Sequence, residues 1–232
     1  MAYTLHTYKF WPDAMAARVA LQEQGDQAEL VDVDMSAGAN KTPAFLKLNP
    51  AGEPPVLVDD KGPMDTGGPL TLWETMAISQ YLNDKHVRQP GSKPVLFPND
   101  PEVYPLSLQW ATWTQINLVP AVEQVLLNSK ILPSAQRNLV ALFLGAAQTL
   151  RALTFLETQV PDQANGPAFM ARGPQGGAGV FSFADITLGA TLTYAHLANQ
   201  QMPLQNFPKL SAYLQMLETR PSFRNVFTGV TI

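Results

Sequence analysis

The chain has 232 residues, 46% of them hydrophobic, and a formal net charge of −4 at pH 7. That length suits one large domain or two small ones, and no basic stripe is present to neutralise phosphates, which argues against nucleic acid as a partner. The absence of cysteine removes disulfide scaffolds, thiolate metal sites and any cysteine nucleophile, and it fits a reducing compartment.

The first eighty-odd residues mix strand and helix signals. Tyr3 to Tyr8 reads as a first strand. Ala14 to Gln24 has helix-forming composition and stops at Gly25. Leu30 to Asp34 alternates apolar and acidic residues, the period of a strand with one wet face. Thr42 to Leu48 is a short helix candidate with Pro43 near its start. Val56 to Val58 and Leu70 to Leu72 are short apolar strands, separated by a turn rich in Gly and Pro. Trp73 to Lys85 closes the set as a helix with Ile78 and Leu82 on one face. The order β-α-β-α-β-β-α predicts a compact α/β sandwich.

Arg88 to Pro101 carries five structure-breaking residues, Pro90, Gly91, Pro94, Pro98 and Pro101, and reads as a linker. Beyond it the strand signal fades. Helical stretches are expected over 102–128, with a kink or break at Pro120, and over 134–159, 185–198 and 208–219. The segment 161–180, rich in Gly and Pro, is a long loop. After it, Phe181-Ser182-Phe183-Ala184-Asp185-Ile186 reads as a helix start. Ser182 is placed to cap, Asp185 to reach back to the Ser182 N–H, and Phe181 with Ile186 to form a hydrophobic staple. That makes Asp185 a folding residue.

The N-terminus has no apolar signal core, and the apolar run 139–147 is too short to span a bilayer. A soluble cytoplasmic protein without a membrane partner is expected. His6, His86 and His196 are far apart and show no metal-ligand spacing, so no metal is expected.

Pro54-Pro55, inside Asn49-Pro50-Ala51-Gly52-Glu53-Pro54-Pro55-Val56-Leu57, is the most informative local feature. X-Pro bonds are the ones that go cis at modest cost, so Pro55 is a candidate cis-proline. The residue before it can then present its backbone carbonyl to a ligand.

This segment resembles the Asn-Pro-x-Gly-x-aliphatic-Pro-x-Leu segment of the cytosolic glutathione transferases. Leu72-Trp73-Glu74-Thr75-Met76-Ala77-Ile78 is similar to that family's Leu-x-Glu-Ser-x-Ala-Ile segment, and Ser182 to Ile186 to its helix-capping box. Residues 37–43 followed by Asn49-Pro50 resemble the plant phi class. The turn 64–70 resembles bacterial and fungal nu-like members, some of which reduce glutathione-linked disulfides. The resemblance implies an α/β thioredoxin-like N-terminal domain over 1–88, a linker over 89–101 and an all-helical C-terminal domain over 102–232. It implies glutathione as co-substrate and a homodimer. It also implies a small apolar electrophile or a disulfide as second substrate.

The residues implied as the glutathione site make chemical sense. Glu74 and Thr75 open a helix, whose unpaired N–H groups and positive end suit the γ-glutamyl carboxylate. Thr75 adds a hydroxyl and Glu74 can pair with the ligand's amine. Lys41 suits the glycyl carboxylate, and Pro54 and Pro55 suit the cysteinyl unit. Three positions depart from the family's pattern. Pro54 keeps its carbonyl but has no N–H, which removes one hydrogen bond, a net loss of about 1 kcal/mol. Glu53 puts a carboxylate where Gln or Lys is common. Trp11, followed by Pro12, stands where the serine-type classes carry their activating hydroxyl. The tyrosine-type pattern falls on Thr7, with Tyr8 beside it, and only one of the two can face a given side of a strand. Thr7 and Tyr8 are therefore the candidate catalytic hydroxyls. Trp110 and Trp113, three apart on a helix, either line an apolar cleft or pack in a core or interface. Loss of the serine, with Glu53 and Pro54, leaves an alternative open: a transferase-like binding module without catalysis.

Overall fold

The structure is a computed structural model that describes residues 3–63, 68–89, 91, 96–173, 176–198 and 204–230. The chain divides into two compact units, Met1–Leu96 and Phe97–Ile232. The nu-like turn expected over 64–70 lies outside the described residues at 64–67, as does the expected linker at 90 and 92–95.

In the first unit, strands β1 (Tyr3–Thr7), β2 (Ala28–Asp32), β3 (Val56–Asp59) and β4 (Leu70–Trp73) form one sheet in the order β2-β1-β3-β4. β1 runs parallel to β2 and antiparallel to β3, and β3 runs antiparallel to β4. Helices α1 (Pro12–Gln24), α2 (Pro43–Leu48) and α3 (Thr75–Val87) complete the expected element order. This is the thioredoxin-like arrangement. Proline fixes two of the helix starts. Pro12 opens α1, and Pro43 opens α2 behind Thr42, whose Oγ1 accepts from the Phe45 N–H at 3.4 Å. Gly25 ends α1 in the left-handed region at φ 75°. Its N–H donates to the Gln22 carbonyl and the Asp26 N–H to that of Leu21, which is a Schellman stop.

Alternation along β1 gives the sheet two faces. Tyr3 and Leu5 pack with Ala17, Leu21, Leu57, Ile78 and Leu82 on the α1/α3 side. Val33, Phe45 and Val56 form the smaller core on the α2 side. The turn after β3 is tied down by Asp59, which is fully buried. Its Oδ2 accepts from Lys85 Nζ and from the Tyr81 hydroxyl, each at 2.6 Å, and its Oδ1 accepts from the Lys61 N–H at 3.0 Å. Burial pushes this carboxyl up, and the donors outweigh burial, so it titrates below its ordinary value.

The second unit is helical: α4 (Tyr104–Asn117), α5 (Val119–Leu126), α6 (Leu139–Gln159), α7 (Phe183–Ala198), α8 (Pro208–Glu218) and α9 (Pro221–Phe227). The helix expected over 102–128 is two helices broken at Leu118. Pro120 is accommodated in the first turn of α5, where no intrahelical N–H bond is required. A single π turn, Leu127–Ile131, follows α5. The helix expected from 134 starts at Leu139 because Asn138 caps it, accepting from the Val140 and Ala141 N–H groups at 2.9 and 3.1 Å. The apolar run does not end at Ala147. Gln148 and Arg151 interrupt the composition but not the helix, so α6 reaches 21 residues and is long and apolar enough to cross a membrane by length and composition, with 28% of its most apolar window buried. Close approach packs it on α5: a Cβ at Gly145 would lie 2.9 Å from the Ala121 carbonyl oxygen.

The box before α7 forms as a larger network than expected. Asp185 is fully buried and its Oδ2 accepts from the Ser182 N–H at 2.8 Å. The Ser182 hydroxyl donates to the same oxygen at 3.2 Å, so it serves the carboxylate. Oδ1 accepts from the Met170 N–H at 2.8 Å and from the Tyr213 hydroxyl at 2.5 Å. One carboxylate thus joins the irregular segment before α7, the start of α7 and the middle of α8. Asp185→Ala removes the acceptor of four buried donors, each left unpaired at a cost of about 1–3 kcal/mol. Stability should fall by about 3 kcal/mol or more, as read by urea denaturation. Asp185→Asn keeps one acceptor and should lose less; equal midpoints for the wild type and Asp185→Ala would contradict this role.

Candidate functional site

The strand register sets up the site. His6 pairs with Val56, and Val56 pairs with Trp73. One step further in the same row come Thr7 at the end of β1, Pro55 before β3 and Glu74 after β4. Three segments distant in sequence therefore reach one edge of the sheet together.

The 49–55 turn is shaped by Asn49. Its Oδ1 accepts from the Ala51 N–H at 2.9 Å, its carbonyl from the Gly52 N–H at 2.9 Å, and its Nδ2 donates to the Glu53 carbonyl at 2.7 Å. The Pro54-Pro55 bond is cis, and both residues are buried. Gly52 sits at φ 72°, and its carbonyl accepts from Asn40 Nδ2 at 2.7 Å and from Lys41 Nζ at 3.1 Å. Lys41, exposed on the short turn Ala39–Lys41, is thereby held two residues from Pro54. Glycine is favoured at 52 by its backbone region, and a Cβ there would lie 2.8 Å from Lys41 Nζ and 3.1 Å from Leu46 Cδ2, so the lysine would have to move. Glu53 is exposed.

Glu74 precedes α3 with φ 72° and ψ 119°, and no other described non-glycine residue has a positive φ. Such a conformation costs on the order of 1–3 kcal/mol and concentrates at ligand-binding positions. The Glu74 side chain is exposed. Behind it, the geometry of a helix start leaves the Thr75 and Met76 N–H groups without intrahelical partners. Thr75 is 1% exposed, and its hydroxyl donates to the Asp13 carbonyl of α1 at 3.1 Å. Its one proton is thus engaged within the protein. An anion at this helix end would be served by backbone N–H groups.

The two candidate hydroxyls face different neighbours. Thr7 continues the α1/α3 face of Tyr3 and Leu5. Its Oγ1 is buried and has no hydrogen-bond partner among the described residues. Tyr8 is also buried, with its ring edge-on to Phe10 at 5.5 Å. Burial pushes its phenol up, the Ser36 hydroxyl pulls it back, and the Asp34 and Asp32 carboxylates add to the rise. Those neighbours come from the β2 edge, on the other side of β1 from β3 and β4. Trp11 is 2% exposed, so its indole packs inside the protein. The Trp11 backbone N–H donates to the Tyr8 carbonyl at 3.1 Å, which closes the β1–α1 turn.

The structure thus brings the β1 end, the cis-proline turn, Lys41 and the α3 start together, and places the Tyr8 phenol among carboxylates instead. Sequence reading missed Asn40, Asn49 and the Asp13 carbonyl. The Asn-Pro-x-Gly spacing signals Asn49, but nothing local signals an acceptor 62 residues from Thr75. In the second unit, Trp113 lies 4.9 Å from Phe155 and 6.3 Å from Trp110, centroid to centroid. Trp113, Ile116, Arg151 and Phe155 border a cavity of about 410 Å³. Among the described residues, no cluster of three or more His, Asp or Glu side chains is placed to hold a metal ion.

Comparison with known proteins agrees with this geometry. Residues 3–84 match the glutathione S-transferase N-terminal domain family. Glutathione S-transferase F13 of Arabidopsis thaliana is 32% identical over 130 residues, 54% of this chain and 55% of that protein. The transcriptional regulator URE2 of Saccharomyces cerevisiae is 30% identical over 98 residues, 42% of this chain and 26% of that protein. The chain thus spans about half or less of the length of these two relatives. A crystal structure of the glutathione transferase URE2P6 from Phanerochaete chrysosporium, in complex with oxidized glutathione, superposes with a TM-score of 0.77. It is 26% identical, and the match covers 98% of this chain and 95% of that one. Residues 3–84 thus belong to the glutathione S-transferase N-terminal domain family, and the chain as a whole, a thioredoxin-like unit built around a cis-proline turn and followed by a helical unit, has the fold of the glutathione transferases.

Proposed function

We propose that the chain binds glutathione in its first unit and passes the thiol to a second substrate. The observation that carries this reading is the strained Glu74 at the start of α3, aligned by strand register with the cis-proline turn. In the bound state the Thr75 and Met76 N–H groups take the γ-glutamyl carboxylate, and Glu74 takes the amine. Pro54 offers its carbonyl to the cysteinyl N–H, and Lys41 reaches the glycyl carboxylate. Glu53, exposed, turns outward. In conjugation the thiolate forms a bond to an apolar electrophile, whose leaving group departs with the bonding electron pair. In disulfide reduction the thiolate attacks one sulfur of a disulfide, the other leaves as a thiolate, and a second glutathione completes the exchange. Neither route needs a protein cysteine. The cytosol, reducing and rich in glutathione, is the compartment we assign.

Glu74→Ala should weaken glutathione binding about tenfold or more, because a charge-assisted contact is worth roughly 1.5–3 kcal/mol. Glu74→Gly should bind as poorly yet melt no lower than the alanine variant, since glycine accepts the positive φ. Calorimetry and thermal melting separate the two effects. Wild-type affinity in both variants would remove Glu74 from the site.

We assign thiol ionisation to the first turn of α1, where the positive end of the helix favours a thiolate. Thr7 is the supporting hydroxyl, because its proton is uncommitted. The Tyr8 phenol is held among carboxylates that oppose a second negative charge. Titrating the ultraviolet absorbance of the bound thiolate tests this. Thr7→Val should raise the bound thiol's pKa and Tyr8→Phe should leave it in place; the reverse pattern makes Tyr8 the activator.

A second reading is favoured by Pro54 without an N–H and by Trp11 buried where a serine-type hydroxyl would stand. It is a transferase-like binding module. Retention on immobilised glutathione without turnover of aryl halides or mixed disulfides would select it. For assembly, we propose a homodimer. The support is that α4 and α6 expose the large apolar side chains Ile116, Leu139, Val140, Phe143, Leu144, Leu150 and Phe155, which a second copy would cover. Sedimentation should give twice the chain mass, and Phe155→Glu should shift the equilibrium toward monomer.

A further inference from the structure

We infer that Glu53 sets the ligand class of the thiol-binding site: together with Lys41 it suits a glutathione whose glycyl carboxylate is joined by an amide to a chain ending in an ammonium group. The inference rests on the glutathione reading above, in which Lys41 receives the glycyl end, and names the derivative which that end fits. Lys41 and Glu53 flank one tied-down corner. Lys41 Nζ donates to the Gly52 carbonyl at 3.1 Å, beside Asn40 Nδ2 at 2.7 Å. The next carbonyl, that of Glu53, accepts from Asn49 Nδ2 at 2.7 Å. Glu53 also precedes Pro54, which favours extended backbone at 53. The ammonium lies 2.8 Å from the place of a Cβ on Gly52. Bond lengths and the spacing of consecutive Cα atoms then put it within about 8 Å of the Glu53 Cα. Both side chains are exposed, and no ion pair joins them.

Two opposite charges thus stand side by side, each open to solvent. A free glycyl carboxylate held at Lys41 gains from the ammonium and is opposed by the Glu53 carboxylate. At such a separation near a surface, the repulsion is worth about two- to fivefold in affinity. An amide in the same place carries no negative charge, yet its carbonyl oxygen still accepts from Lys41. Two or three methylenes beyond the amide nitrogen bring an ammonium within reach of Glu53. Both protein charges are then met by the ligand. The extension runs into solvent, so it requires no closed cavity. Lys41 alone would select the free carboxylate; the second charge beside it changes the selection.

Calorimetry on the full chain tests this with three ligands: glutathione, its neutral glycyl carboxamide, and its aminopropyl amide. The wild type should bind the aminopropyl amide about threefold or more tighter than the carboxamide, and at least as tightly as glutathione. Glu53→Gln keeps the shape of the side chain and removes its charge. It should abolish the difference between the two amides and tighten glutathione about two- to fivefold. At about 1 M salt, where screening acts within about 3 Å, the difference should vanish in the wild type as well. Lys41→Met should weaken glutathione more than the aminopropyl amide. Equal binding of the two amides by the wild type would overturn the proposal, and so would a difference that survives in Glu53→Gln. A tenfold or greater preference for glutathione over both amides, unchanged in Glu53→Gln, would make Glu53 an ordinary solvated side chain. Failure of the wild type to bind any of the three would remove the underlying reading and this inference with it.

Discussion

The pairing of β1, β3 and β4 in a single register is the constraint on which the first unit depends. A shift of one residue in any strand would turn its core side chains to the opposite face. It would also move the row that ends β1, precedes β3 and follows β4. Burial of Leu5, Leu57 and Ile78 against α1 and α3 therefore fixes more than stability. It determines that the cis-proline turn and the start of α3 arrive at one edge. The site inherits its geometry from the hydrophobic pattern of short strands.

The second unit uses a different device. Its helices pack through apolar faces, and close contacts at glycine set some of the spacings: a Cβ at Gly189 would fall 2.6 Å from Leu217 Cδ1 and 2.7 Å from Phe223 Cε1. Packing alone does not hold an irregular segment such as 160–173 in place, because its backbone donors need partners. Asp185 supplies one for Met170 while capping α7 and receiving Tyr213. A fully buried carboxylate is tolerated because it accepts from every side. Glu157 plays a similar part more openly, accepting from the Lys209 and Leu210 N–H groups at the start of α8.

Much of this was legible in the sequence, for local reasons. Strand alternation, Pro at helix starts and Gly25 at a helix end are short-range signals, and the element order of the first unit follows from them. Pro55 was readable as a cis site because X-Pro bonds are the ones that go cis at modest cost. The reach of Asp185 to the Ser182 N–H was readable because it spans three residues. What was not legible is tertiary. Met170 and Tyr213 as partners of Asp185, and Asp13 as the acceptor for Thr75, depend on packing between distant elements. Two misses did carry local signals. Asn138 is a standard cap that moves the start of α6 to 139, and Pro221 marks the start of α9, which the sequence reading left out.

The lysine on the Gly52 carbonyl has a consequence for ligand approach. A carbonyl fixes the ammonium in place without cancelling its charge, whereas a carboxylate partner would do both. Lys41 is thus oriented ahead of time yet keeps its full positive potential toward solvent. An incoming anion need not break an ion pair to reach it. The entropy of ordering a long, flexible side chain has been met during folding rather than at binding. The same arrangement puts the ammonium 2.8 Å from where a Cβ at position 52 would stand. Any side chain at 52 would therefore displace the charge as well as the turn.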